Sequence, residues 1–463
     1  MAIVNINVSI TNPPKPSQLL KTGALVSVGG TTLAAGTSQL LTTSTDLATI
    51  LHEALAIESL AWAANTVTVT TVDPHGLENG DQLQVVLSGN TPAGYNGTYT
   101  ATVTGTDTLT YSLPTDPGTA TAEGTLQLYG ATELTQMNTS FWAQGKSRSV
   151  YVLELGAVPT TDAIAALQAF IAQDVALGNT YQTFFSYLVP RAFSPQASFK
   201  QLANLYTADD ALVYFFVTTT LADYSAWTAL AYKSVYAGVE SPDMPATAFD
   251  MAAHFQSTLA NDPGSANQVP PMAYRFLYGT TVYPVFGNAT VLSQLEAANI
   301  NYVGSAAEGG LSNMMVVKGH NLDGNPFNYW YSVAWAIINL ELDLANEIIN
   351  GSNTTVNPLY YDQQGVDRLQ KRALKTFRTG ISYGLIIGTG IGTKLTNAQF
   401  VENFNNGLYE SEAVINAIPY QTYVSDNPSA YQQGDYGGFT GVMTPRRGFE
   451  SITFNLNVTN FVG

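Results

Sequence analysis

The chain has 463 residues, no cysteine and a formal net charge of −17, with 45% hydrophobic but only 11% charged residues. That length exceeds what one core usually holds, so several domains are expected, and the missing cysteines exclude disulfides, thiolate catalysis and cysteine metal sites. The acidic balance argues against wrapping nucleic acid, which needs basic surface to neutralise phosphate, and a surface polar through Tyr, Thr, Ser, Asn and Gln rather than charge suits burial against other protein.

The chain opens on strict period-2 alternation. Val4, Ile6, Val8 and Ile10 alternate with Asn5, Asn7, Ser9 and Thr11, the pattern of a strand with one buried and one wet face. Pro13, Pro14 and Pro16 then separate it from the body. The closing residues repeat the pattern, with Ile452, Phe454, Leu456 and Val458 against Thr453, Asn455, Asn457 and Thr459. Termini fray unless something holds them, so two such ends predict arms that pair with a sheet edge, in this chain or another. The N-terminus lacks a basic and apolar leader, and no apolar run approaches the ~20 residues of a membrane span. Synthesis in the cytoplasm, without membrane insertion, is expected.

Residues 47–55 read as helical through Leu47, Ile50, Leu51, Ala54 and Leu55. Between Lys21 and Lys146 the chain then carries no lysine or arginine. Inside that gap, five short strands are predicted over 66–72, 81–88, 97–104, 108–113 and 124–129, punctuated by turn signals such as Asn79-Gly80 and Asp116-Pro117-Gly118. Such spacing indicates a small β-barrel or sandwich inserted at 64–129. After Lys146 strands and helices alternate: strands over 150–155, 183–189, 212–219 and 235–239, helices over 161–177, 222–232 and 246–260. That order implies a mixed or parallel sheet with helical cover. A long helix is predicted over 327–349 and a second over 366–380. The fold class expected is a mixed α/β, α+β multidomain protein with an inserted all-β module and extended terminal β-arms.

Five of the 17 basic residues fall on that second helix: Arg368, Lys371, Arg372, Lys375 and Arg378. At 3.6 residues per turn they share one side, opposite Val366, Leu369, Ala373 and Phe377. The stripe reads either as a solvated face neutralised by the chain's own carboxylates or as an electrostatic contact with an acidic partner; a nucleic-acid contact fits the global charge less well. Catalytic and metal motifs are absent. The histidines, His52, His75, His254 and His320, never pair at helical spacing. The glycines at 388–392 lack dinucleotide spacing and residues 321–325 lack calcium-loop spacing, while the carboxylates Asp209-Asp210 and Glu240 with Asp243 could serve acid–base chemistry but are not separated by sequence from solvated loop charges. No enzyme and no cofactor is expected.

Read in order, several segments resemble contractile bacteriophage tail sheath proteins. They are Met251-Ala-Ala-His-Phe, Asp262-Pro263-Gly264, Pro270-Pro271, the run from Leu292 to Tyr302, the long aromatic helix, the Asn/Thr loop after it and the basic helix. Gly324-Asn325-Pro326 departs from the Gly-Arg-Thr-like step many sheaths carry there. The insertion, through His75-Gly76-Leu77, Gly80-Asp81, Tyr95-Asn96-Gly97-Thr98-Tyr99 and Pro117-Gly118, resembles a β-module common in phage virion proteins. That module is similar to a half-domain of ubiquitin-activating enzymes, without the cysteine their chemistry needs.

The sheath resemblance implies a virion protein that stacks as hexameric rings around a tail tube, neighbours joined by exchanged terminal strands. It implies partners in further copies of itself, the tube, baseplate and tail terminator proteins, and contraction without nucleotide. It implies domains at 1–20 (arm), 21–63 with 130–358 (outer), 64–129 (insertion), 359–445 (inner) and 446–463 (arm), with the stripe Arg368–Arg378 facing the tube. A carbohydrate- or receptor-binding surface protein using the Tyr/Asn-rich insertion is the alternative.

Overall fold

The computed structural model describes residues 19–145, 148–176, 183–264, 266–284, 288–306, 313–388 and 413–450. Both predicted terminal arms, with Val4, Ile6, Val8, Ile10, Ile452, Phe454, Leu456 and Val458, lie outside the described residues, as do glycines 390 and 392.

The first half of the chain contains strands β1 (Gly23–Ser27), β2 (Ser38–Leu41), β3 (Leu55–Ala63), β4 (Thr66–Thr71), β5 (Gln82–Ser88), β6 (Gly97–Val103), β7 (Thr108–Ser112) and β8 (Thr125–Leu128). Helix α1 (Tyr129–Trp142), β9 (Val150–Glu154), α2 (Thr160–Ala176), β10 (Ser186–Leu188), α3 (Ala197–Asn204), β11 (Tyr214–Thr219), α4 (Ser225–Thr228), β12 (Val235–Val239) and α5 (Asp250–Leu259) follow. The remainder comprises β13 (Phe276–Leu277), α6 (Ala289–Ala297), β14 (Tyr302–Ala306), β15 (Asn313–Val317), α7 (Phe327–Ser352), α8 (Gln363–Ser382), β16 (Val414–Ala417), α9 (Tyr420–Asp426), α10 (Pro428–Gln433) and β17 (Phe439–Val442).

A six-stranded sheet, ordered β12-β11-β10-β1-β9-β2, organises the body. All its pairs are parallel except β2 with β9, which makes it the mixed sheet that the alternating elements implied. Its parallel strands are largely apolar on both faces because both are covered, whereas the edge strand β2 is mostly exposed. Leu25, Val152, Leu188, Phe216 and Tyr236 meet Phe141 of α1, Phe255 of α5 and Phe327 of α7. Ala24, Val26, Leu153, Phe215 and Ala237 meet Leu167 of α2, Phe199 of α3 and Leu295 of α6.

The insertion is a closed barrel, β3-β4-β7-β6-β5-β8. Val67, Val69, Val85, Leu109, Tyr111 and Leu126 fill it, while Thr66, Thr68, Thr98 and Thr100 face out. Here the helical reading of residues 47–55 needs correction. A short 3-10 turn covers Ser44–Thr49, and Leu55 begins the barrel's first strand. Closure requires that strand, since β3 pairs with both β4 and β8 and leaves no edge. Helix α1 has no sequence counterpart in the prediction, and the predicted helix at 222–232 shrinks to the four residues of α4. Gly130 opens α1 tightly against the strand-end loop, where a Cβ would come within 2.0 Å of the Val28 carbonyl oxygen.

The barrel joins the body beside one buried carboxylate. Glu154, 1% exposed at the end of β9, accepts hydrogen bonds from Ser27 Oγ (2.8 Å), Gly29 N (2.7 Å), Thr31 N (3.0 Å), Thr31 Oγ1 (2.8 Å) and Gly156 N (2.8 Å). These bonds shape the loop after β1 and replace the water that the carboxylate gave up. Replacing Glu154 with Ala would leave buried donors unpaired and lower unfolding stability by about 3 kcal/mol. A lowered urea midpoint is the expected readout, and an unchanged midpoint would contradict this role.

Candidate functional site

Three features converge around the helical hairpin of α7 and α8. Helix α7 follows Pro326, and α8 starts at Asp362, whose side chain accepts from Gly365 N at 2.8 Å as an N-cap. The five basic residues predicted to act together fall into two sets. Arg368 pairs with Glu347 at 2.5 Å and Arg372 with Asp343 at 2.5 Å. Both partners are on α7, four residues apart, matching the spacing of the two arginines. Lys371, Lys375 and Arg378 are exposed. On the other side of α8, Val366, Ala373 and Phe377 are buried and Leu369 is half-buried. The buried Gln370 reaches from α8 to donate from Nε2 to the Ile415 carbonyl, 2.8 Å away.

Ile415 belongs to the second feature, a sheet that among the described residues has only two strands, β16 and β17. They pair antiparallel from Val414↔Val442 to Ala417↔Phe439. Val414 and Ile415 are buried, whereas Thr440 and Gly441 of β17 are exposed. A lone strand pair is marginal in water, and this one leans on Phe377 and a tyrosine cluster. Tyr436 lies 4.9 Å from Phe439 and 4.6 Å from Tyr423, ring centre to ring centre.

The third feature is the anchoring of both chain ends. Leu19 and Leu20 are buried, and Lys21 binds Asp262 at 2.5 Å, which holds the Asp262 carboxyl below its usual range. At the other end, Arg446 N donates to the Leu385 carbonyl (2.9 Å) and Asn328 Nδ2 to the Arg446 carbonyl (2.8 Å). Arg447 donates to Asn325 Oδ1 (2.6 Å) with its guanidinium over the Tyr329 ring, and His320 Nε2 meets Glu450 Oε1 at 2.5 Å. The Tyr274 hydroxyl donates to the Glu450 carbonyl. One segment therefore serves both roots: Asp262 holds the start of the described chain and Tyr274 its end.

The remaining polar chemistry is internal. Among the described residues no three His, Asp or Glu side chains could hold a metal ion, and no helix is long and apolar enough to cross a membrane. His254 is buried, its Nδ1 2.9 Å from the Tyr236 hydroxyl, and burial lowers its pKa to about 3. Asp323 accepts from Asn325 N and Trp330 Nε1, a turn that leads into α7. Glu240, left open by the sequence between an acid–base group and a loop charge, has a side chain only 8% exposed and pairs with Arg191 at 2.9 Å. Arg191 also reaches Glu133 at 3.5 Å and lies 3.9 Å from the Phe249 ring centre. Asp250 completes the cluster, with Thr281 N donating to its Oδ2 at 3.0 Å and Oδ1 lacking a partner. No sequence signal gathers these groups, which come from α1, the turn after β10, the end of β12 and α5.

Burial pushes the Glu133 and Asp250 carboxyls up to about 7 and raises Glu240 as well. Unfolded carboxylates release their protons near ~4, so between that pH and about 7 the folded chain holds more protons. The stability contributed by these groups therefore falls as pH rises through that window. Asp250→Asn removes one titrating group, so its melting temperature relative to the parent should climb between pH 5 and 8, by roughly 2 °C or more. A difference independent of pH would contradict the assignment.

No protein-family model and no curated protein sequence matches the chain. Among solved structures, the sheath tail protein Lin1278 from Listeria innocua aligns with 81% of this chain and 90% of its own, at 11% identity and a TM-score of 0.40. The sheath tail protein DSY3957 from Desulfitobacterium hafniense aligns with 82% and 90%, at 11% identity and a TM-score of 0.36. Likenesses this low carry no weight in assigning function.

Proposed function

We propose that this chain is a structural subunit of a contractile phage tail sheath, without catalytic activity, that polymerises as stacked hexameric rings around the tail tube. The single observation that carries this reading is the sheet β16-β17, which among the described residues has two strands and is marginal alone, in a chain whose sequence alternates apolar and polar residues at both ends. Strands from neighbouring copies would complete that sheet by main-chain hydrogen bonding, with alternate side chains setting register. Such a contact is heterologous and extends into a ring or helix instead of closing as a dimer.

In this reading residues 1–20 and 446–463 are the exchanged arms, 359–445 the inner domain, 21–63 with 130–358 the outer body, and 64–129 an outward-facing decoration. The tube, baseplate and tail terminator proteins are the further partners. Lys371, Lys375 and Arg378 supply the exposed part of the tube-facing stripe, while Arg368 and Arg372 brace α8 against α7. Contraction then releases free energy stored at assembly and drives the tube through the host envelope.

Deleting residues 451–463 should leave a folded monomer, with unchanged far-ultraviolet circular dichroism, that no longer forms cylinders in negative-stain micrographs. Normal cylinders from the truncated chain would overturn the strand exchange. Lys371→Glu with Lys375→Glu should weaken assembly on tubes by tenfold or more at low salt, as expected for loss of steering charge. Undiminished assembly on tubes would remove the stripe from that interface.

A further inference from the structure

A cleft of about 460 Å³ opens where α7, α8, the first described residues and the segment after α5 meet. Lys21, Tyr331, Trp335, Asp343, Arg372 and Lys375 are among its lining residues. Three of its lining residues, Lys21, Arg372 and Lys375, are cations. Asp343 is the only carboxylate among the lining residues, and it already takes the Arg372 guanidinium and the Thr376 hydroxyl. Asp262, just outside, is shared by Lys21 at 2.5 Å and Arg148 at 3.5 Å. Nearby in the chain, the Arg275 guanidinium donates to the carbonyls of Pro271 (2.8 Å), Ser257 (2.5 Å) and Pro270. Lys21, Arg372 and Lys375 thus line the cleft with the single carboxylate of Asp343, while Asp262 at its margin is taken by Lys21 and Arg148. Neither Arg372 Nε nor the Tyr331 hydroxyl has a hydrogen-bond acceptor. In a chain of net charge −17, this is a local inversion of sign, and concave low-dielectric walls focus such a field.

We propose that this cleft is a carboxylate-binding site, in which Lys375 and the Arg372 guanidinium take the ligand's oxygens by charge-assisted hydrogen bonds. The shared chemistry is a pair or cluster of carboxylates, supplied by a free polycarboxylate or by acidic side chains of another protein. The site shares Lys375 with the stripe assigned above to the tube, but its test uses the unassembled subunit, so it can fail without the sheath reading failing.

The test titrates the full-length monomer by calorimetry with citrate and, separately, with a hexaglutamate peptide, at ionic strength matched by sodium chloride. Saturable binding of at least one is expected. Citrate alone would mark a small-anion site, and both together a site that also admits side chains of a partner. Lys375→Met should weaken binding about tenfold, the value of one charge-assisted bond. Lys200→Met, on α3 against the opposite face of the central sheet, is the charge-matched control and should bind as the parent does. No saturable binding of either probe, or equal weakening by the two substitutions, would overturn the proposal.

Discussion

The reading of this chain as a building block depends on the sheet β16-β17, which among the described residues has two strands. Backbone donors and acceptors on a strand edge must be paired or solvated, and β16-β17 is a pair with little of its own to hold it. Its inner side is secured by Phe377 and by the Gln370 amide, so the ribbon is positioned on α8. Helix α8 is in turn fixed on α7 by two matched ion pairs, individually modest at partial exposure but geometrically specific. Helix α7 buries Phe327, Tyr331 and Ala334 against the central core. A packed route therefore runs from the central sheet to the β16-β17 ribbon.

The chain ends connect to the same route. The segment between α5 and β13 binds Lys21 through Asp262 and Glu450 through Tyr274, and so holds both ends of the described chain. An arm that pulls on its root pulls on a packed body rather than on a loose tail. That is the mechanical property a subunit needs if its neighbours are to slide and rotate without parting.

Period-2 patterns were the most legible part of the sequence. Thr66–Thr71 and Gln82–Ser88 alternate because one face fills a barrel and the other meets water. Leu55–Ala63 misleads because Leu47, Ile50, Leu51, Ala54 and Leu55 happen to fall at helical spacing, while barrel closure, a long-range demand, decides the strand. Helix α1 is hidden for a local reason: its N-cap is Leu128, which offers no side-chain cap and belongs to a strand. The basic stripe was legible as a stripe, but not its division, since Asp343 and Glu347 lie 29 and 21 residues before Arg372 and Arg368. The buried Arg191 cluster was illegible throughout, because only tertiary packing assembles it.

The absence of cysteine permits a direct test of strand exchange. Two populations would be made, Thr440→Cys on the exposed β17 strand and Asn455→Cys in the C-terminal arm, then mixed, assembled and treated with a flexible bismaleimide. Exchange predicts covalent dimers containing one chain of each kind, formed in assembled material and missing from dilute monomer. Mixed cylinders that yield no such heterodimer, with both thiols shown to be reactive, would contradict it.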